Sequence, residues 1–262
     1  YPGATGRYVS AAAIKERMYA VNAPTIDIRR IKQKIWKQAM ANSDSIRIKY
    51  ASKYDASSNY YKNAIGMNLS VSKRGVLTKR QAQERVLQEW IKRNPNEPDS
   101  LLKVLPRLQR LYDKRREVKT ALTYFSEAFA NGPELIDLAI SILNFDMKAP
   151  ADMVVANIGK LVQKYSNMDA NVDKKVCKAM FKTFKERVDR RYWPETYARI
   201  DTVYGGSIDK YIDDVYARTW LSTPRGMMAV FSNDSTYNLI KDPATDLSID
   251  MIVAFIGLNN VL

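Results

Sequence analysis

Apolar residues recur at spacings of three and four along nearly the whole of this 262-residue chain, and alternating strand-like runs are hard to find. That periodicity predicts an all-α fold, an irregular assembly of about ten helices. A first helix is expected over about 10–21, with Ser10 as N-cap and Pro24 punctuating its end. A second, over about 26–41, places Ile28, Ile31, Ile35 and Ala39 on one face. Ser43 or Asp44 then caps a long third helix to about 72, which Gly75 stops. Thr78 with Gln81 has the spacing of a capping box ahead of Val86, Leu87, Trp90 and Ile91, marking a fourth helix that ends near Asn94-Pro95.

After a turn over 95–98, the apolar positions Leu101, Leu105, Leu108, Tyr112, Val118, Leu122, Phe125 and Phe129 predict a long helix or an antiparallel coiled-coil arm from Asp99. Pro106 either kinks it or starts its second segment, and Asn131-Gly132-Pro133 ends it. Further helices are expected over about 134–144, 151–165, 169–191, 195–204, 208–220 and 247–262, with a break at Trp193-Pro194 and a loop around 222–226. No fixed-period repeat or low-complexity linker interrupts the pattern.

Composition narrows the chemistry. The chain has no histidine, so it cannot hold a complete Ser-His-Asp triad. One cysteine and no histidine exclude a zinc site of the Cys and His type. Cys177 lies in an amphipathic run and reads as a small buried apolar residue. The longest apolar run, Met251 to Leu258, is too short to span a membrane. The chain opens on Tyr-Pro-Gly without a signal peptide, so it is expected to be a piece of something longer.

The formal charge of +14 is uneven: residues 1–119 hold 26 Lys and Arg against 10 Asp and Glu, and residues 120–262 hold 16 against 18. A basic half of this kind either attracts anionic partners or forms solvated helix faces. The basic residues are spread over several helices without a nucleic-acid motif, and Lys114-Arg115-Arg116 with Arg107, Arg110 and Lys119 reads as a solvated arm surface or an interdomain or dimer contact before a nucleic-acid patch. A free-standing module binding nucleic acid or another polyanion is the alternative function. Asp209, Asp213 and Asp214 read as a solvated face more readily than a metal site. Tyr204-Gly205-Gly206-Ser207 reads as a helix end, a turn and a new cap rather than a phosphate loop. Met227-Met228 is expected to pack inward or against a further domain. No cofactor motif is present.

The segment Ser57-Ser58-Asn59-Tyr60-Tyr61-Lys62-Asn63-Ala64-Ile65-Gly66-Met67-Asn68 crowds amides, hydroxyls and aromatics onto a helix. Helical spacing brings Tyr54, Ser58 and Tyr61 or Lys62 to one face and Asp55, Asn59 and Asn63 to a neighbouring one. Such a face either binds a ligand or hydrogen-bonds to adjacent helices. With its approach Ile48-Lys49-Tyr50-Ala51-Ser52-Lys53-Tyr54, it resembles the signature segment of the bacterial serine dipeptidyl-peptidases, the group that includes dipeptidyl-peptidases seven and eleven. Tyr1-Pro2-Gly3-Ala4-Thr5-Gly6-Arg7-Tyr8, Ile31-Lys32-Gln33-Lys34-Ile35-Trp36 and Ile240-Lys241-Asp242-Pro243-Ala244 resemble the same family.

The resemblance implies that 1–9 is the end of a peptidase-barrel strand and linker. Residues 10–262 would be an α-helical cap inserted in a chymotrypsin-like peptidase, with every triad residue outside this chain. It implies a parent that releases dipeptides from the free N-termini of oligopeptides, is periplasmic or associated with the cell surface, and forms a homodimer. Neither nucleic-acid binding nor membrane insertion is implied. A family asparagine that accepts a hydrogen bond from the substrate's α-amino group corresponds to Asn59, supported by Tyr60, Tyr61 and Asn63. An amide oxygen suits that task because an ammonium has three donors and no acceptor. Tyr61 stands where the family pattern has Trp.

Overall fold

The computed structural model describes residues 8–94, 96, 98, 100–145, 150–231 and 241–262. Most of the expected barrel-strand segment (1–7), parts of the turn (Pro95 and Glu97), Asp99 and Ile240 lie outside them. The described residues form twelve α-helical segments and no strand.

The first two segments are one continuous rod. α1 (Ala11–Glu16), a π-helical turn (Arg17–Asn22) and α2 (Ala23–Ala41) follow without a break. Ser10 caps α1 as expected, accepting from Ala13 N at 3.2 Å. Pro24 does not end the helix. A proline lacks the N–H for the next turn, and its ring crowds the carbonyl four residues back. Here the turn before it is widened so that Ala23 N bonds to Met18 O, five residues back, and the chain passes Pro24 without breaking.

α2 pairs with α3 (Asp44–Lys73), capped by Ser43, whose hydroxyl accepts from Ile46 N at 3.4 Å. Gly75 stops α3 in the left-handed conformation, φ 60°, which a side chain would disfavour. It is itself the N-cap of α4 (Val76–Arg93), so α4 starts before Thr78 and the capping box does not form. α5 (Ser100–Phe125) carries Pro106 inside it and runs into a second π turn (Ser126–Ala130). Gly132 closes the run: a Cβ there would stand 1.7 Å from Ala128 O.

α6 (Glu134–Leu143), α7 (Ala151–Ser166) and α8 (Ala170–Arg187) follow. α8 ends at Arg187, ahead of the expected break, because Val188 is extended. α9 (Thr196–Val203) and α10 (Ile208–Arg218) match expectation, with Ser207 capping Lys210 N. The expected loop over 222–226 is instead the start of α11 (Pro224–Phe231); its Met227 is buried, while the Met228 side chain lies outside what is described. α12 (Pro243–Val261) begins four residues early. Asp242, fully buried, accepts from Ala244 N at 2.8 Å and Thr245 N at 3.3 Å, and Pro243 fits the first helical turn.

α12 also exceeds the apolar run read from the sequence: by length and composition it could cross a membrane. Its Ala244, Leu247, Ser248 and Met251 are buried in the protein, and its Asp246 and Asp250 pair with Arg199 of α9.

The core is aromatic. Phe125, Phe129, Phe181, Phe184 and Tyr197 pack with ring centroids 4.8 to 6.1 Å apart. Each buried ring contributes about 2–3 kcal/mol of transfer free energy. Cys177 is buried in this core and its thiol is raised well above the ordinary value by burial. By contrast, Ile91 is the one buried residue of α4, and α5 buries none before Val118. The expected arm is the second of these stretches, and α4 packs beside it to form a two-helix arm. α4 turns Gln81, Glu84 and Gln88 toward α1 and α5, and Glu84 accepts from Ala11 N at 2.7 Å.

Candidate functional site

α3 divides into two faces. Tyr50, Ser57, Ser58 and Ala64 are buried, and Tyr54, Tyr61 and Asn68 are half-buried. Asn59 is nine residues from both Tyr50 and Asn68, about two and a half turns, so it projects from the opposite side. Ser52, Asp55, Ala56, Asn63 and Gly66 share its exposed surface.

The structure therefore separates the signature amides into two kinds. Asn68 is structural: its Oδ1 accepts from the buried Asn22 Nδ2 at 2.7 Å and its Nδ2 donates to Met18 O at 3.3 Å. It ties α3 to the π turn beside Pro24. Ser57 is structural too, accepting from Gln33 Nε2 at 3.0 Å. Asn59 and Asn63 make no hydrogen bond to a described residue. Their carboxamides stand in solvent with both acceptor and donors free.

Tyr60 is 66% exposed, and its ring lies 4.8 Å from the Arg29 guanidinium carbon. Arg29 is itself fixed, with its Nε 2.8 Å from Glu127 Oε2 and Nη2 3.1 Å from Oε1, both residues buried on the π turns' side of α2. A buried ion pair, with a single hydrogen bond from Nη2 to Oε1, thus holds the cation over the ring. Tyr61 is half-buried beside it.

A second polar cluster seats the base of α3. Lys53 Nζ donates to Glu134 Oε2 at 2.6 Å and to Asn167 O at 2.5 Å, and Lys49 Nζ donates to Met168 O at 3.1 Å. Tyr50 Oη accepts from Asp169 N at 3.2 Å. Beneath them, the fully buried Asp173 accepts from Glu134 N at 2.7 Å, Leu135 N at 2.9 Å and Tyr216 Oη at 2.6 Å. Asp173 caps α6 from another helix, because Pro133 at the N-cap position has no side chain to do so.

Burial raises the Asp173 carboxyl, while those donors pull it down. Glu134 is pushed up to about 7, by burial first and by the Asp173 charge second. Lys32 is pushed down to about 8, by burial first and by Arg29 second, and donates to Asn131 O. A cavity of about 350 Å³ lined by Trp36, Lys53, Glu134, Lys164 and Asn167 adjoins the cluster.

The other sequence candidates resolve plainly. Asp209 and Asp213 pair with Lys182 at 2.6 Å and Lys178 at 2.7 Å, and Asp214 takes Arg218 and Tyr204. Gly205 and Gly206 form the turn between α9 and α10. Arg115 is held by Glu16, and Arg116 by Asp113. The buried charges around Asp173 escape sequence reading, since their partners lie 38 to 81 positions apart.

Comparison with known proteins gives the family of the chain. Dipeptidyl-peptidase 7 of Porphyromonas endodontalis is 32% identical over 250 residues, 94% of this chain and 30% of that protein. Dipeptidyl-peptidase 7 of Porphyromonas gingivalis is also 32% identical, over 97% of this chain and 36% of its own length. The chain thus spans about a third of these relatives. The fold matches the crystal structure of Porphyromonas endodontalis DPP11 in complex with the dipeptide Arg-Glu: TM-score 0.81, 21% identity, 99% of this chain and 38% of that one. The sequence profile of the peptidase S46 family matches residues 1–260, and the chain belongs to that family.

Proposed function

We propose that this chain is the helical, substrate-gating part of a serine dipeptidyl-peptidase that releases dipeptides from the N-termini of oligopeptides. The observation that carries the reading is Asn59: an unpartnered carboxamide at the centre of the exposed face of a long, firmly seated helix. Its oxygen accepts from the substrate's α-ammonium, and that contact measures two residues from the N-terminus to the scissile bond. Asn63 lies one turn further on the same face, and Tyr60 and Tyr61 wall its flank. Closure of this face over the cleft of a chymotrypsin-like barrel excludes water and longer N-terminal extensions.

With no histidine in its 262 residues, the chain supplies recognition and leaves the Ser-His-Asp chemistry to the catalytic part. Residues 1–9 lead out of that part and 10–262 form the cap. On the family resemblance, the parent is a homodimer of the periplasm or cell surface. The test is hydrolysis of dipeptidyl fluorogenic substrates by this chain and by the full-length protein. Activity in the full-length protein alone, abolished by a serine-directed inhibitor, supports the reading. Activity in neither sends the assignment to a polyanion-binding module.

A further inference from the structure

The arm carries an interaction surface that the peptidase reading does not use. Along α4, Lys79, Gln83, Val86, Trp90 and Arg93 follow one another at spacings of three and four, with Ala82 and Leu87 alongside, so they form a single stripe. This stripe faces away from the other described residues: Val86 is 69% exposed, Leu87 45% and Trp90 51%, while the polar Gln81, Glu84 and Gln88 face α1 and α5. Ile91 is turned inward, but the larger apolar group of Val86, Leu87 and Trp90 is turned out, which marks an interaction surface when several large residues are contiguous.

The charges of the arm differ from those of α8. Along α8, Lys174, Lys178, Lys182, Lys185 and Arg187 each reach a carboxylate within 3.3 Å. On the arm, the exposed Lys79, Arg85, Arg107, Arg110 and Lys114 form no ion pair with a described residue. Residues 76–119 hold twelve Lys and Arg against six Asp and Glu. The α4 stripe itself is apolar at its centre and has Lys79 and Arg93 at its two ends, while the exposed Glu89 beside it is paired with Lys92 at 2.8 Å.

That combination selects the partner. A second copy is disfavoured, because pairing two α4 helices antiparallel sets Lys79 against Arg93, and pairing them parallel sets each cation against itself. An apolar Val-Leu-Trp stripe with a cation at either end instead has the make-up of a helix lying in a lipid interface, its Lys and Arg stems reaching out to phosphates. We propose that the α4 stripe docks the arm peripherally on an anionic phospholipid surface, Val86, Leu87 and Trp90 entering the headgroup boundary and Lys79 and Arg93 engaging lipid phosphates. The contact lies on the arm, apart from the Asn59 face, and its test does not depend on peptidase activity.

The test is co-sedimentation of the full-length protein with vesicles of phosphatidylglycerol and phosphatidylcholine, beside vesicles of phosphatidylcholine alone, at low and high salt. Partition to the anionic vesicles is expected, falling about tenfold in a Val86→Ser, Trp90→Ala variant and in a Lys79→Glu, Arg93→Glu variant, and weakening with salt. All four residues are exposed, and unchanged helicity by circular dichroism establishes that each variant is folded. No partition at low salt, equal partition to neutral vesicles, or partition unaltered by both variants overturns the proposal. So does self-association that Trp90→Ala abolishes, which assigns the stripe to a second copy.

Discussion

Lys53 Nζ and Glu134 Oε2 stand 2.6 Å apart and join α3 to α6 across 81 positions of sequence. Lys53 lies six residues before Asn59, on the same helix. The bridge rests on Asp173, which caps α6 and raises the Glu134 carboxyl. The seating of the signature helix is therefore coupled to a buried acidic pair, and so to pH.

The sign follows from the direction of each shift. Glu134 rises from its ordinary 4.5 to about 7, so between those values the native state keeps a proton that the unfolded chain has released. That contribution to stability is full below about 4.5 and is lost as pH rises through about 7. Lys32 falls from 10.5 to about 8, so its contribution is present above 10.5 and lost as pH falls through about 8. Thermal unfolding across pH 5 to 10 is expected to show both slopes; Glu134→Gln flattens the first and Lys32→Met the second. Unchanged slopes in both variants exclude these groups.

Asn59→Ala in the full-length enzyme is expected to lower kcat/KM on dipeptidyl substrates about tenfold, equivalent to about 1.4 kcal/mol of transition-state binding. Asn68→Ala is the contrast. It strips the buried Asn22 amide of its acceptor and is expected to lower stability by about 1–2 kcal/mol without changing kcat/KM of the folded enzyme. Equal kinetic losses in the two variants would falsify the division of the signature amides into contacting and structural ones.

At Gly132 an added Cβ meets backbone, Ala128 O at 1.7 Å and Ala128 C at 2.6 Å, and neither can swing aside as a side chain would. Gly132→Ala is expected to destabilise the protein by about 3 kcal/mol. The turn leads directly into Glu134, so the pH slope assigned to that carboxyl should shift as well. A urea midpoint within error of the parent chain would show that the turn relaxes without penalty.

Local signals were legible where they were complete within a few residues. Ser10, Ser43 and Ser207 each cap the helix expected after them, because a cap needs only a side chain and the next turn. Pro24 misled because the π turn that accommodates it has no residue signature. α4 was legible as a helix, but its apolar stripe was not legible as the exposed side, since periodicity gives a face and not what covers it. The grouping of Asn59 with Asn63 was legible from helical spacing, but its outward aim needed the buried Tyr50 to fix the phase of α3, and its ligand comes from the family resemblance. Asp173 capping α6, 39 positions earlier, was invisible because nothing local links the two.

Asp242 offers the strictest test of how the C-terminal helix is held. Its carboxylate is fully buried and accepts from Ala244 N at 2.8 Å, Trp220 N at 2.8 Å and Thr219 Oγ1 at 2.9 Å, with Thr245 N at 3.3 Å. One side chain therefore joins the start of α12 to the end of α10. Asp242→Ala leaves those buried donors without an acceptor and is expected to lower stability by about 3 kcal/mol or more. Asp242→Asn keeps the shape but replaces one oxygen with a donor facing donors, so it should recover only part of the loss. Because Met251 and Leu247 of α12 fill the core beside α6, hydrogen exchange should show α12 and α6 losing protection together in Asp242→Ala. Loss confined to α12 would mean that the packing of α6 does not depend on this cap.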